Sequence, residues 1–81
     1  MKKVVFTEPA RADVRRLDIP TAMRIFAALQ RFAETGAGDV KKLDRNTDEL
    51  RLRVGDWRVR FLENPETIIV KRVRHRSETY R

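Results

Sequence analysis

The residues best equipped for chemistry in this sequence are arginines, and they recur with a period of two. In Leu50-Arg51-Leu52-Arg53-Val54 and again in Trp57-Arg58-Val59-Arg60-Phe61, cations alternate with apolar side chains. That is the period of a β-strand, whose successive side chains point to opposite faces. Gly55-Asp56 between the runs supplies a turn. As neighbouring strands, about 5 Å apart, the runs stand Arg51, Arg53, Arg58 and Arg60 on one face. Like charges this close repel, and Asp56 and Glu63 are the only acids within the hairpin itself. A phosphodiester backbone relieves that repulsion, and arginine suits it through its bidentate fork. A single surface arginine is ordinarily only solubilising, but five or more on one face point to a bound polyanion.

The end of the chain, Lys71-Arg72-Val73-Arg74-His75-Arg76-Ser77-Glu78-Thr79-Tyr80-Arg81, adds more cations, the single histidine and a tyrosine. Tyr80 can stack on a base, as aromatics do on single strands. The commonplace alternative is packing against the sheet edge. His75 can carry a proton, being the side chain that ordinarily titrates nearest neutrality. Its commonplace alternative is a plain surface histidine.

Charge is distributed accordingly. The net charge is +7 over 81 residues. Residues 1–49 carry ten Lys/Arg against eight Asp/Glu, whereas residues 50–81 carry nine against four. The asymmetry assigns an acidic partner to the C-terminal half, with nucleic acid the commonest kind. Other chemistries find little support. Cysteine is absent, which removes disulfides and thiolate metal sites and fits a reducing cytoplasm. One histidine and scattered acids make no metal-ligand cluster, and there is no glycine-rich phosphate loop or Ser/His/Asp set. No metal or cofactor is expected. No apolar run approaches a membrane span, and the run Val4-Val5-Phe6 is too short for a signal peptide.

The elements that must hold these arginines follow from the apolar spacing. Lys3 to Phe6 reads as a strand. Thr7 is an N-cap, followed by Glu8 and Pro9 in a first turn that suits both. Ala10, Val14 and Leu17 then mark a short amphipathic helix. Asp18-Ile19-Pro20 ends it and starts a second helix, whose apolar stripe reads as Met23, Phe26, Ala27, Leu29 and Phe32 and which stops at Gly36-Ala37-Gly38. Two helices joined this tightly form an antiparallel hairpin. After Gly38 the period changes to two, and Asn64-Pro65 separates the arginine hairpin from a strand over residues 67–74. Residues 40–44 form either a further short strand or a connection. The expected fold is one α+β domain over residues 1–81. Its helical hairpin covers the face of a three- or four-stranded, mainly antiparallel sheet that bears Leu50, Leu52, Trp57, Val59 and Phe61. The arginine face is left open.

The order of elements, the run Leu50 to Phe61 with its Gly-Asp-aromatic-Arg turn, and the ending His75-Arg76-Ser77-Glu78-Thr79-Tyr80-Arg81 together resemble the RelE/ParE superfamily of toxins from type II toxin–antitoxin systems. The resemblance covers nearly the whole chain. It implies a RelE-like fold and, on the RelE branch, a metal-independent endoribonuclease that cleaves mRNA in the ribosomal A site and so inhibits translation. By position, Arg51 and Arg53 match the basic pair before the turn, Arg58 the arginine after the turn aromatic, Arg74 the arginine late in the last strand, and Tyr80 the tyrosine. Some relatives have lysine where this chain has the pair Arg51 and Arg53. A guanidinium stays protonated and is a poor base, which passes proton removal to His75 or to the RNA's surroundings. Arg60, Lys71, Arg72, Arg76 and Arg81 are expected to bind RNA. The implied partners are a cognate antitoxin protein, in a toxin–antitoxin hetero-oligomer, together with mRNA and the ribosome, with no membrane. Relatives often carry a further C-terminal helix, and regulation through one is not expected here. Two other readings share the fold: a ParE-like toxin that poisons DNA gyrase without chemistry of its own, and a non-catalytic RNA- or ribosome-binding module.

Overall fold

The computed structural model describes residues 1–79; Tyr80 and Arg81 lie outside the described residues. The elements run β1 (Lys3–Phe6), α1 (Glu8–Arg15), α2 (Ile19–Thr35), β2 (Val40–Lys42), β3 (Leu50–Val54), β4 (Trp57–Glu63), β5 (Thr67–His75) and α3 (Arg76–Thr79).

Capping residues set the starts of α1 and α2 and the end of α2. The Thr7 hydroxyl accepts the Ala10 N–H at 3.3 Å and donates to the Lys71 carbonyl at 3.1 Å, so one side chain caps α1 and ties it to β5. Asp18 caps α2, accepting from the Thr21 N–H and hydroxyl at 3.2 and 2.6 Å. Those bonds, the hydroxyl's foremost, hold the Asp18 carboxyl below the usual aspartate range. Gly36 ends α2 at φ +75°, with its N–H on the Phe32 carbonyl, the left-handed geometry that glycine adopts without penalty.

The sheet has five strands in the order β1-β5-β4-β3-β2. It is antiparallel except where β1 lies parallel to β5, from Lys3 opposite Thr67 to Phe6 opposite Val70. The expected helical hairpin over a mainly antiparallel sheet is therefore found. The N-terminal strand and Val40–Lys42 bring the strand count to five.

Register fixes the faces. Leu52 stands opposite Val59, and Val59 opposite Val73, and all three are buried. Between Arg60 and Phe61 the pairing with β5 slips, from Arg72 to Val70, leaving Lys71 as the extra residue of a bulge. The bulge is why β5 buries Ile68, Val70 and then Val73 rather than keeping strict alternation. The core joins these residues and Phe61 to Ile25, Leu29 and Ala33 of α2 and Ala10 of α1. Phe32 meets Phe61 edge to face at 5.4 Å between ring centroids. Each large side chain buried here contributes about 1.5–3 kcal/mol of hydrophobic free energy.

The stripe expected on α2 requires correction. The residues facing the sheet are Ile25, Leu29, Phe32 and Ala33, whereas Met23 is 59% exposed and Phe26 39%. The sequence of α2 carries apolar residues on two sides, so periodicity alone did not select the inner one. The outer set, Ile19, Met23 and Phe26, repeats at i, i+4 and i+7 and remains on the surface.

Candidate nucleic-acid interface

The open face carries its cations in two rows that cross the sheet. Lys41 stands opposite Arg51, Arg51 opposite Arg60, and Arg60 opposite Arg72, giving one cation from each of β2 to β5. The second row runs Arg53, Arg58, Arg74 across β3, β4 and β5. The strand alternation read from the sequence builds both.

The rows are not equally neutralised, and here the structure departs from expectation. The hairpin itself offers few acids, but the fold brings three from elsewhere. Glu49, only 5% exposed, takes Arg60 Nε at 2.8 Å and Nη2 at 2.6 Å, and Lys71 approaches it at 3.8 Å. Asp13 of α1 takes Arg72 through Nε at 2.8 Å and Nη2 at 3.1 Å. Glu78 of α3 takes Arg74 at 3.1–3.2 Å. Arg60, Lys71, Arg72 and Arg74 thus already have carboxylates.

Asp13 does more than balance charge. Beyond Phe6, β1 no longer covers the edge of β5, and the Asp13 carboxylate accepts the Val73 N–H there at 2.9 Å. Arg16 adds a further bond at 2.9 Å. Burial alone raises this carboxyl's pKa. The Arg72 hydrogen bond, the Val73 N–H and the attraction of Arg72 outweigh it and hold the group below the usual range. The same bond raises Arg72. Glu78 is also lowered, first by the His75 N–H that it accepts and then, against slight burial, by Arg74.

Arg51, Arg53 and Lys41 form no ion pair among the described residues. They line a hollow of about 160 Å³ with Arg58 and Asp39. Arg58 is 7% exposed, and its Nη1 donates to the carbonyls of Gly55 at 3.0 Å and Trp57 at 3.1 Å, with no carboxylate partner among the described residues. Those carbonyls fix the guanidinium but leave its charge to be met by something else. Gly55 allows the turn beneath it, at φ +60°. The hollow is a rigid arginine flanked by three cations that no carboxylate pairs among the described residues, a geometry that matches a phosphate.

Of the expected site residues, Arg51, Arg53, Arg58, Arg60, Arg72 and Arg74 share the open face. His75 does not. It stands opposite Trp57, on the helix-covered side, with the rings edge to face at 5.2 Å. Arg76 opens α3, where its N–H donates to the Asp56 carbonyl at 2.7 Å and its guanidinium lies 3.8 Å from the Asp56 carboxylate. Tyr80 and Arg81 are outside the described residues. Sequence reasoning missed Lys41 and Asp39. Alternation through Val40 and Lys41 was a signal for the first. The second had none, because only the pairing of β2 with β3 carries Asp39 to the arginines. Among the described residues no three His, Cys, Asp or Glu side chains gather as metal ligands do. No helix among the described residues is long and apolar enough to cross a membrane.

No curated protein matches the sequence. The chain is similar to one from the RelB–RelE antitoxin–toxin complex of Methanococcus jannaschii, with 25% identity over 94% of each chain and a TM-score of 0.77. It is similar also to the archaeal RelE–RelB complex from Pyrococcus horikoshii OT3, with 20% identity over 93% of this chain and 94% of that one and a TM-score of 0.77. The YoeB dimer from Staphylococcus aureus shares the fold at 19% identity, over 91% and 95% of the two chains, with a TM-score of 0.76. The family model described as the ParE toxin of type II toxin–antitoxin systems matches residues 4–80, nearly the whole sequence, and the chain belongs to that toxin family, within the RelE/ParE superfamily.

Proposed function

We propose that this toxin is a metal-independent endoribonuclease that cleaves mRNA in the ribosomal A site. The observation that carries this reading is the buried Arg58 guanidinium, held by two carbonyls and facing a hollow with Arg51, Arg53 and Lys41. In the proposed reaction the ribose 2′-OH attacks the adjacent phosphorus, giving a 2′,3′-cyclic phosphate and a free 5′-OH. Arg58 is already oriented, so it stabilises the charge that builds on the phosphoryl oxygens without reorganising. Arg51, Arg53 and Lys41 seat the backbone, and Arg74 joins them if the phosphate displaces Glu78. A guanidinium cannot accept the 2′ proton. Asp39, the carboxylate that lines the hollow among the described residues, is the proposed base, and the proton it takes from the 2′-OH passes to the leaving 5′ oxygen. Tyr80 is the proposed stacking residue, as the resemblance implies.

Purified toxin incubated with programmed ribosomes and with naked RNA, followed by mapping of 5′ ends, tests the reading. Cleavage confined to ribosomes supports it. Asp39→Asn is expected to lower kcat by at least about a hundredfold with an unchanged melting temperature, and normal turnover would remove Asp39 from the mechanism. The family match favours a second reading, a toxin that acts on gyrase without cleaving RNA. In that case RNA stays intact and gyrase supercoiling stalls in the same preparation.

An antitoxin partner is proposed with the first reading, as in the RelB–RelE complexes. The exposed stripe Ile19, Met23, Phe26 borders an apolar groove lined by Phe6 and Val14 and rimmed by Arg11 and Arg15. An amphipathic helix with acidic flanks complements both features. An acidic extension of it onto the open face would mask the cation rows.

A further inference from the structure

A second cavity, of about 260 Å³, opens on the helix-covered side of the Gly55–Asp56 turn, between α2 and the ends of β3, β4 and β5. Its chemistry is carried by Thr21, Arg24, Asp56, Trp57 and His75, and none of these serves the reaction proposed above. The cavity is not a packing defect. Two flat rings stand at its wall, Trp57 and His75, beside a guanidinium and a carboxylate. His75 Nδ1 accepts the Ser77 N–H at 3.3 Å and lies 3.0 Å from the Ser77 hydroxyl. Arg76 stands 3.8 Å from the Asp56 carboxylate, beyond hydrogen-bond range, and the Asp56 side chain is 65% exposed. Asp56 therefore still has acceptor capacity to offer.

The position matters as much as the lining. Arg58, the fixed cation of the phosphate hollow, donates to the Gly55 and Trp57 carbonyls, and Gly55 and Trp57 also line this cavity. One turn thus separates the two sites. We propose that the cavity is a base-recognition pocket for an unstacked guanine, from the RNA strand whose backbone lies on the cationic hollow. The proposal rests on the RNA reading above. Aromatic rings and arginine planes hold splayed-out bases by stacking. A carboxylate is acceptor-only and a guanidinium donor-only. Guanine alone among the four bases sets two adjacent donors, N1–H and N2–H₂, beside the acceptors O6 and N7, so Asp56 accepts two bonds while Arg24 serves the acceptors. Adenine and cytosine offer Asp56 an amino group alone, and uracil a single ring N–H.

Trp57 is the only tryptophan of the chain, so its fluorescence reports occupancy directly. The test is a titration of the full chain with GMP, AMP, CMP and UMP. All four carry the same phosphate, so a difference among them belongs to the base. GMP is expected to change the emission saturably, with a Kd at least about tenfold lower than the other three. Asp56→Asn is expected to erase that preference while the thermal melt stays within a few degrees of the parent. The double variant Arg51→Ala/Arg53→Ala is expected to weaken all four and keep their order. Equal binding of the four nucleotides, or a guanine preference that survives Asp56→Asn, overturns the pocket. Cleavage of RNA with no preference at guanine, together with equal binding, overturns the pocket and leaves the nuclease standing. A guanine preference in a protein that cuts no RNA supports the pocket and removes the nuclease.

Discussion

Replacing Asp13 by alanine tests the account of how the cation face is held to the helices. The Asp13 side chain is 2% exposed and accepts from Val73 N–H, Arg72 and Arg16. Removal strands the Val73 N–H at a sheet edge that no strand covers, which costs about 1–3 kcal/mol. It also removes charged hydrogen bonds of about 1.5–3 kcal/mol. That second contribution is reduced because the Arg72 and Arg16 side chains are 35% and 75% exposed and regain water. The expected loss is about 3 kcal/mol, at the low end for breaking a buried pair. For a domain of this size that lowers the melting temperature by roughly 12–24 °C. Urea unfolding followed by circular dichroism should show a lower midpoint at unchanged slope. The pH dependence has a definite sign. The folded-state pKa lies below the ordinary 3.8, so the contribution is fully present above that value and is lost as pH falls through the folded pKa. The gap between parent and variant should therefore be the same at pH 7 and pH 5 and should close only below pH 3.8. A loss under about 1 kcal/mol, or a gap that is already closing at pH 5, would refute the reasoning.

Three further outcomes are expected. Arg51→Ala and Arg53→Ala should each flatten the salt dependence of single-stranded RNA binding by about 0.7 in log Kd against log salt, read by fluorescence anisotropy; an unchanged slope removes that residue from the backbone contact. Thr7→Ala removes both the α1 cap and the tie to the Lys71 carbonyl and should cost about 1–2 kcal/mol in chemical denaturation. Leu29→Ala, at a side chain 1% exposed, should cost about 2–5 kcal/mol without altering RNA affinity per folded molecule.

Much of the fold was legible because its signals are local. Thr7, Asp18 and Gly36 act within one helical turn of where they stand in the sequence, and the alternation in Leu50–Phe61 needs only the next residue to declare a face. The failures are non-local. Asp13 meets Arg72 across 59 positions, and no periodicity marks an acid on α1 as the counter-ion of a strand. Glu49 has the same character, since burial beside Arg60 depends on how β3 and β4 register. The position of His75 turned on the bulge at Lys71, which resets the faces of β5 by one residue. A strictly alternating strand aligned on Val70 would have put His75 on the open face with the arginines. For α2, Met23 and Phe26 are as apolar as Ile25 and Leu29, and only the packed sheet decides between the two sides.

The parallel pairing of β1 with β5 sets the order in which a chain leaving the ribosome can fold. The β3–β4 hairpin closes over a two-residue turn and the helices form within themselves, but β1 waits for a partner more than sixty positions away, as far as Thr7 is from Lys71. Relative to the hairpin turn, that closure spans about five doublings of loop length, roughly 3 kcal/mol of chain entropy, and contacts so distant in sequence make folding slow. Asp13 meets Arg72 and Val73 only once β5 has been made, whereas Glu49 and Glu78 stand close in sequence to Arg60 and Arg74. Arg72 is thus the cation whose carboxylate depends on long-range closure. The interval between synthesis and closure is when an acidic partner has the most to gain by binding, and a partner made beside the toxin would act there as a folding template as well as an inhibitor.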